Sequence, residues 1–575
     1  MKFFVKAVLL SGAIVGAFIF LFLLNLLFSS SYNEFVQWAA EDVLKKPHLV
    51  NFIPAYFSED RFYLLQKAIV FLAVIYFFLI VWLFRRRTKV IHYFNGIASE
   101  GRLTITSFLA FVQPKELVEK FLFWIIIGTS FFVGAYNIAT IPISYDEACS
   151  YIDFVSKGPL IISTLYHTTN NHILSNILSY ISCLIFPNGE IGQRLPLLFI
   201  LVVNCFLLFG LLKRIVKPYQ ALIGLAFFAA STPVYLYSFM ARGYSLVILF
   251  SLICILALRQ LLLLPQRKYW VIFFLASVLG TYSIPVIGYL LVAVYVCLGV
   301  FFFIHNKEQL KFLLLTGFFS FLAVCFLYTP VFLVSGLSAL KQVVSDISIK
   351  RTIFENGIQN LKSLTDFYIS SNIFFKVILG LPILTGIVYV YHAYRKRGSA
   401  FLLFILIVAA MPLAVTIILQ QKMFDRTWIY MTVVMSIFYA FAFSQVKQKA
   451  VLIAAIVFTY VMQLGSSIDA RYYTDQKHRN FAARKTADLF AGEKMKSIYL
   501  DHQFIRPMIE YRLQLLHHPY QLYVNKSQFQ KSDFDPNKKY DLIVYAEGGA
   551  NPESNYQYRI IDSVKEIRVL ELINE

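Results

Sequence analysis

What most constrains this chain is a succession of nearly uncharged apolar runs, each roughly 20 residues long, separated by short turns that carry Lys and Arg. A helix of that length matches the hydrocarbon thickness of a bilayer. Lipid offers no partner to open backbone N–H and C=O groups, so the spanning units have to be helices. About 13 such runs can be read, at approximately 7–28, 67–84, 121–142, 196–212, 221–239, 244–264, 270–284, 286–304, 312–334, 374–392, 400–419, 428–444 and 450–466. With 58% hydrophobic and only 15% charged residues, a soluble protein is excluded. The expectation is an all-α polytopic membrane protein with a small α/β domain at its C-terminal end.

The net charge of +20 does not point to nucleic acid, because the basic residues fall in clusters between apolar runs and no basic patch with interleaved aromatics stands on a soluble segment. They follow the positive-inside rule instead. Arg85-Arg86-Arg87 places the end of the second span in the cytoplasm, and the N-terminus with it. Alternation then predicts basic inward turns, which are found at Lys213, Arg214 and Lys217; Arg267 and Lys268; Lys307 and Lys311; Arg395, Lys396 and Arg397; Lys447 and Lys449. Parity also divides the Gly280-to-Pro285 region into two spans, since Lys268 and Lys307 must share a side.

Three parts follow. Residues 1–120 hold two N-terminal spans and a cytoplasmic segment of mixed character, read as an interfacial helix within 88–119. Residues 121–466 form a transmembrane core with long outer loops at 143–195 and 335–373, where periodicity predicts surface helices over 148–165 and 337–358. Residues 467–575 are soluble and non-cytoplasmic, with strands expected at 497–500, 520–524 and 540–545 and a helix at 506–517. The six cysteines lie mostly in apolar runs and read as small buried hydrophobes. His502, His517 and His518 lack the spaced partners of a zinc site.

The first outer loop opens with Ser144-Tyr145-Asp146-Glu147 at the mouth of a span. Adjacent acids there either line a wet cavity or cap a helix beginning near Ala148. Arg194, Arg242 and Arg426 fall on the same side, against the positive-inside bias. They can hold a phosphate or compensate the acids, with interfacial snorkelling as the plain alternative. Lys157 suits a phosphate or a solvated helix face. His172 suits a hydrogen bond to sugar or phosphate, or an ordinary loop. Tyr145 and Tyr244 can stack on a sugar or belong to the interfacial aromatic belt.

Asp146-Glu147, then Asn171-His172-Ile173-Leu174, then Arg194-Leu195-Pro196, with Met240-Ala241-Arg242-Gly243-Tyr244 and Asp425-Arg426-Thr427-Trp428-Ile429-Tyr430 later, resembles the GT-C superfamily of membrane glycosyltransferases over about 121–466. The likeness is to the protein O-mannosyltransferase and lipid A aminoarabinose transferase branch, although Ile173-Leu174 stands where that pattern often has two prolines. The resemblance implies a sugar donor on polyprenyl phosphate, membrane lipid around the site, and an acceptor that is protein, lipid or glycan. It also implies a bacterial inner membrane and catalytic roles for Asp146 and Glu147.

Chemistry agrees with that implication. Transfer from a lipid phosphate needs guanidinium groups for the leaving phosphate and a carboxylate to take the acceptor proton, with Asp146 the candidate base. Glu147 can orient the acceptor, assist the base or help hold a divalent cation. Two alternatives are a transporter or flippase of lipid-linked sugars and an O-antigen ligase or polymerase. Transporters place ionisable groups near the midplane, whereas these interior spans are almost free of charge.

Overall fold

The computed structural model describes residues 2–43, 50, 53–166, 168, 170–336, 353–419, 424–468, 471–492, 497–500, 505–518, 521–524, 535, 537–546, 556–564 and 567–573. The N-terminal part consists of α1 (Lys2–Ser29), α2 (Glu59–Arg85) and α3 (Arg87–Val112), which starts at the last arginine of the cluster and fills most of the mixed segment. The core follows with α4 (Leu117–Thr140), α5 (Tyr145–Asp153), α6 (Ile173–Ile185), α7 (Gly189–Leu212), α8 (Pro218–Ala230), α9 (Tyr244–Leu263) and α10 (Arg267–Ser283). It continues through α11 (Gly288–His305), α12 (Lys307–Val334), α13 (Ile353–Tyr368), α14 (Ile373–Arg397), α15 (Ala400–Leu419), α16 (Met431–Ala442) and α17 (Lys449–Ile468).

Among the described residues, 8 helices are long and apolar enough to cross a bilayer, and shorter apolar helices accompany them. The chain is an integral membrane protein. Some runs counted as full spans from sequence are shorter helices, for local reasons. The run at 221–239 breaks at Ser231, whose extended backbone (ψ 145°) precedes a second short helix with Pro233 in its first turn. The run at 428–444 opens as a 3₁₀ turn and becomes α-helical only at Met431. The Gly280–Pro285 boundary separates two helices, as Ile284 is extended (φ −152°) ahead of Pro285.

Helix α8 is buried on every side and forms the axis of the core, packed by α4, α7, α16 and α17. Its Gln220 donates from Nε2 to the carbonyls of Phe443 and Val446, which ties α8 to the chain just past α16. Between α14 and α16 the backbones nearly touch, so a Cβ on Gly386 would lie 1.8 Å from the carbonyl oxygen of Phe438. Close approach through small residues is the usual helix contact in lipid, where the hydrophobic effect does not drive helices together.

The outer loop does not form the single helix expected over 148–165. Gly158, at φ +90°, and Pro159 divide it into α5, a 3₁₀ turn over Val155–Lys157 and a short helix over Pro159–Thr164. Residues 337–352 of the second predicted surface helix lie outside the described residues, and α13 begins just after them.

Past α17 the chain forms α18 (Arg471–Gly492), β1 (Ser497–Leu500), α19 (Arg506–Leu515), β2 (Gln521–Val524), β3 (Leu542–Ala546), β4 (Tyr558–Val564) and β5 (Ile567–Leu572). The sheet has five strands in the order β2-β1-β3-β5-β4, with β1 parallel to β2 and β3 and the other pairs antiparallel. The first three strands and α19 match expectation. The last two were not foreseen, because Arg559, Asp562, Arg568 and Glu571 obscure their alternation. Ala482, Ala483 and Phe490 of α18, Met508 and Ile509 of α19, and Ile498 and Leu542 of the sheet share one apolar core with Ile143 and with Ala148 of α5. The small domain is therefore seated directly on the loop that carries the acids.

Candidate active site

Helix α5 begins at Tyr145, three residues earlier than the sequence suggested, with Ser144 as N-cap. Consecutive side chains on a helix point about 100° apart, so Asp146 and Glu147 face different surroundings. Glu147 turns inward and is 0% exposed. Its Oε1 accepts from Arg194 Nε at 2.7 Å and from the Ala241 N–H at 2.6 Å. Its Oε2 accepts from Arg194 Nη2 at 2.8 Å, the Ser144 N–H at 2.9 Å and the Ser144 hydroxyl at 2.8 Å. Arg194, 1% exposed, also donates to the carbonyls of Ile141 and Pro142. Burial pushes the Glu147 carboxyl up, but the Arg194 charge and these hydrogen bonds outweigh it and hold the group below its usual range.

The void beside this pair is about 10 Å³, room for one water at most. With both oxygens of Glu147 taken, the residues do not fit a divalent cation held jointly by Asp146 and Glu147. No three His, Cys, Asp or Glu side chains converge anywhere among the described residues.

Asp146 turns toward the mouth and its side chain is 25% exposed. Arg242 Nη1 lies 3.0 Å from its Oδ2 and Arg426 Nη1 lies 3.9 Å from the same oxygen. Arg242 is nearly buried and donates to Asn170 Oδ1 at 2.8 Å. Its place is set from both flanks, because the Ala241 N–H is held by Glu147 and the Gly243 N–H donates to His172 Nδ1 at 2.8 Å. Accepting at Nδ1 places the proton of the neutral imidazole on Nε2. Burial first, then the Arg242 and Arg426 charges, lower the His172 pKa well below its ordinary 6.5.

Arg426 sits on the 3₁₀ turn Asp425–Trp428, anchored by the fully buried Trp428 and by Asp425, whose carboxylate accepts from the Ser363 hydroxyl at 2.7 Å. The Tyr368 hydroxyl donates to the Asp425 carbonyl at 3.1 Å, so α13 fixes this turn.

The remaining expected residues separate. Tyr244 is buried, edge-on to His172 at 5.3 Å and against Tyr237 at 4.5 Å, and it forms part of the wall behind Arg242. Tyr145 is half-buried at the start of α5, and burial lifts its hydroxyl far above the ordinary range. Lys157 stands on the turn beyond the far end of α5. Cys149, one helical turn after Tyr145, has its thiol pushed up to about 12 chiefly by burial, so it is no thiolate.

Sequence reasoning missed Asn170 and the contributions of the small domain. Tyr511 of α19 accepts from Gln193 Nε2 at 3.2 Å and packs edge-on to Tyr151 at 4.9 Å. Asn480 donates to the Pro142 carbonyl at 3.3 Å, and Arg484 pairs with Glu190. No local signal links residues so distant in the chain. The asparagine, by contrast, stands in the very segment that carries His172.

Fold and site together define a polytopic membrane protein with a carboxylate–arginine centre at one end of its helical core, capped by an α/β domain. No protein-family description and no curated protein matches the chain. Among solved structures it is similar to ArnT from Cupriavidus metallidurans, bound to undecaprenyl phosphate and in the apo state. Each shows 11% identity and a TM-score of 0.48, over 78% of this chain and 97% of that one. It is also similar to an Archaeoglobus fulgidus oligosaccharyltransferase in the apo form, at 12% identity and a TM-score of 0.45, over 75% of this chain and 70% of that one.

Proposed function

We propose that this chain is a membrane glycosyltransferase that moves a sugar from a polyprenyl-phosphate donor to an acceptor hydroxyl on the non-cytoplasmic face of a bacterial inner membrane. The observation that carries the reading is Asp146, a partly exposed carboxylate whose Oδ2 lies 3.0 Å from the Arg242 guanidinium and 3.9 Å from that of Arg426. In this reading the Asp146 carboxylate takes the acceptor proton, the acceptor oxygen bonds to the anomeric carbon, and the bond from that carbon to the phosphate oxygen breaks. Arg426, 28% exposed and at the longer distance, receives the departing phosphate while Arg242 stays on the carboxylate. Glu147 is a positioning residue: it holds the Ala241 amide, and through it the turn that presents Arg242. His172 holds the same turn from the other side. Placement of the charged groups at the ends of the core helices, away from the bilayer midplane, favours chemistry at the membrane surface over alternating access.

The test is Asp146→Asn in the purified full-length protein, assayed for sugar transfer from a panel of undecaprenyl-phosphate-linked sugars. Transfer is expected to vanish while membrane insertion stays as in the wild type and melting falls less than in Glu147→Gln, since Arg242 keeps Asn170 and Asp146 is partly exposed. Turnover equal to wild type would reduce Asp146 to a helix-start residue.

A further inference from the structure

The opposite end of the same helices carries a second arginine cluster that the proposed reaction does not use. Arg194 and Tyr244 stand near the N-terminal ends of α7 and α9, whereas Arg214 follows the C-terminus of α7 and Arg259 lies in the last turns of α9. Twenty helical residues rise about 30 Å, the thickness of the hydrocarbon core, so the two clusters face opposite leaflets. Arg214, Arg259 and Arg397 line a cavity of about 360 Å³, closed by Ser399, Phe401 and Phe441, and no carboxylate is among its lining residues.

Among the described residues, the hydrogen bonds of the Arg214 and Arg259 guanidinium groups go to backbone carbonyls, Gly210 for the first and Arg214 for the second. Arg214 also lies over the Phe111 ring at 4.4 Å and the Phe108 ring at 5.2 Å, which fixes its plane. Three like charges around one cavity repel one another, and burial first and the Arg259 charge second push the Arg214 pKa below its ordinary range. An anion relieves that repulsion. The start of α15 adds to the attraction, because Ser399 and Ala400 bring the positive end of its dipole to the cavity wall.

A second space separates a lipid from a soluble anion. Arg214 also lines an open groove of about 730 Å³ running between α3, α7, α9 and α10, walled by apolar side chains such as Leu103, Phe206, Ile253 and Ile272. A phosphate alone leaves that groove unfilled. A molecule with a phosphodiester head and acyl chains fills both spaces and keeps its chains in the bilayer.

We propose that Arg214, Arg259 and Arg397 bind the phosphodiester head of an anionic phospholipid from the leaflet opposite the Asp146 site, with its acyl chains along the groove walled by α3. Basic pockets between helices at a membrane face are suited to such heads, and guanidinium is weakly hydrated and able to grip phosphate through two bonds.

The experiment is native mass spectrometry of the full-length protein in detergent, titrated separately with phosphatidylglycerol, phosphatidylcholine and inorganic phosphate. Phosphatidylglycerol is expected to be retained well above phosphatidylcholine. Arg397→Gln, at an exposed position that folding tolerates, is expected to lower that affinity about fivefold, and Arg259→Gln/Arg397→Gln to bring it to the phosphatidylcholine level. Lys396→Gln, a neighbour that does not line the cavity, is expected to leave it unchanged. Equal retention of the two lipids by the wild type would overturn the proposal. So would an effect of Lys396→Gln equal to that of Arg397→Gln, since surface charge alone would then explain the preference. Displacement of phosphatidylglycerol by inorganic phosphate at matched concentration would assign the cavity to a soluble anion instead.

Discussion

The buried Glu147–Arg194 pair gives a test whose size follows from the hydrogen bonds. In Glu147→Gln the side chain keeps its shape but loses its charge and exchanges one oxygen for an NH₂ group. Whichever way the amide turns, that NH₂ faces donors: Arg194 Nε and the Ala241 N–H on one side, or Arg194 Nη2 and both Ser144 donors on the other. Arg194 is left charged, 1% exposed and without a carboxylate. Breaking a buried pair from one side costs about 3–5 kcal/mol, a large share of the roughly 5–15 kcal/mol by which proteins are stable. The melting midpoint in detergent is therefore expected to fall by several degrees and to be insensitive to salt, because no screening reaches the pair. Glu147→Leu/Arg194→Met removes both charges and is expected to melt above either single variant. Melting of Glu147→Gln at the wild-type midpoint would refute the clamp, and a double variant equal to the sum of the singles would refute the coupling.

Other perturbations separate the remaining roles. Arg426→Gln is expected to raise the KM for the lipid-phosphate donor about 10–100-fold, the equivalent of one lost hydrogen bond to a charged group, with the melting midpoint unchanged; steady-state kinetics at varied donor concentration measure it. His172 has a folded pKa below 6.5, so the unfolded chain binds the extra proton first. Its contribution to stability is complete above that value and is lost as pH falls beneath it. Melting followed between about pH 5 and 8 should show a slope that His172→Phe lacks. Gly386→Ala puts a Cβ against the Phe438 carbonyl and is expected to destabilise by about 1–3 kcal/mol or more; a melting midpoint within error of wild type would place α14 farther from α16 than observed.

How much of this was legible follows from which physical signals are local. Helices written as apolar runs, such as α9, α11 and α17, were read close to their observed limits because lipid imposes length and composition on each run separately. Breaks inside runs were harder, since Ser231 and Ile284 end helices by backbone conformation, with only the prolines downstream as warning. Arg242 and Arg426 were recognisable as arginines on the acidic side. Their convergence on a single oxygen of Asp146 depends on the α8–α9 turn and on the anchoring of Asp425 by α13, and neither is written near the arginines themselves.

The adjacent acids show why a choice between helix cap and reaction centre was posed too narrowly. On the first turn of α5, neighbours in sequence diverge in direction, so one acid can serve the fold while the next serves the mouth. Glu147 accepts from the Ser144 N–H, as a capping residue does, and in the same position ties together α4, α7 and the α8–α9 turn through Arg194 and the Ala241 amide. Asp146 then lies opposite an arginine whose backbone its neighbour has already fixed. The electrostatics of the mouth therefore depend on a carboxylate that never reaches it. This predicts an asymmetry: substitutions at Glu147 should lower melting strongly along with transfer, whereas conservative substitution at Asp146 should abolish transfer with a smaller loss of melting. If Asp146→Asn instead lowered melting as far as Glu147→Gln, both acids would be structural, and the reaction centre would have to be sought elsewhere.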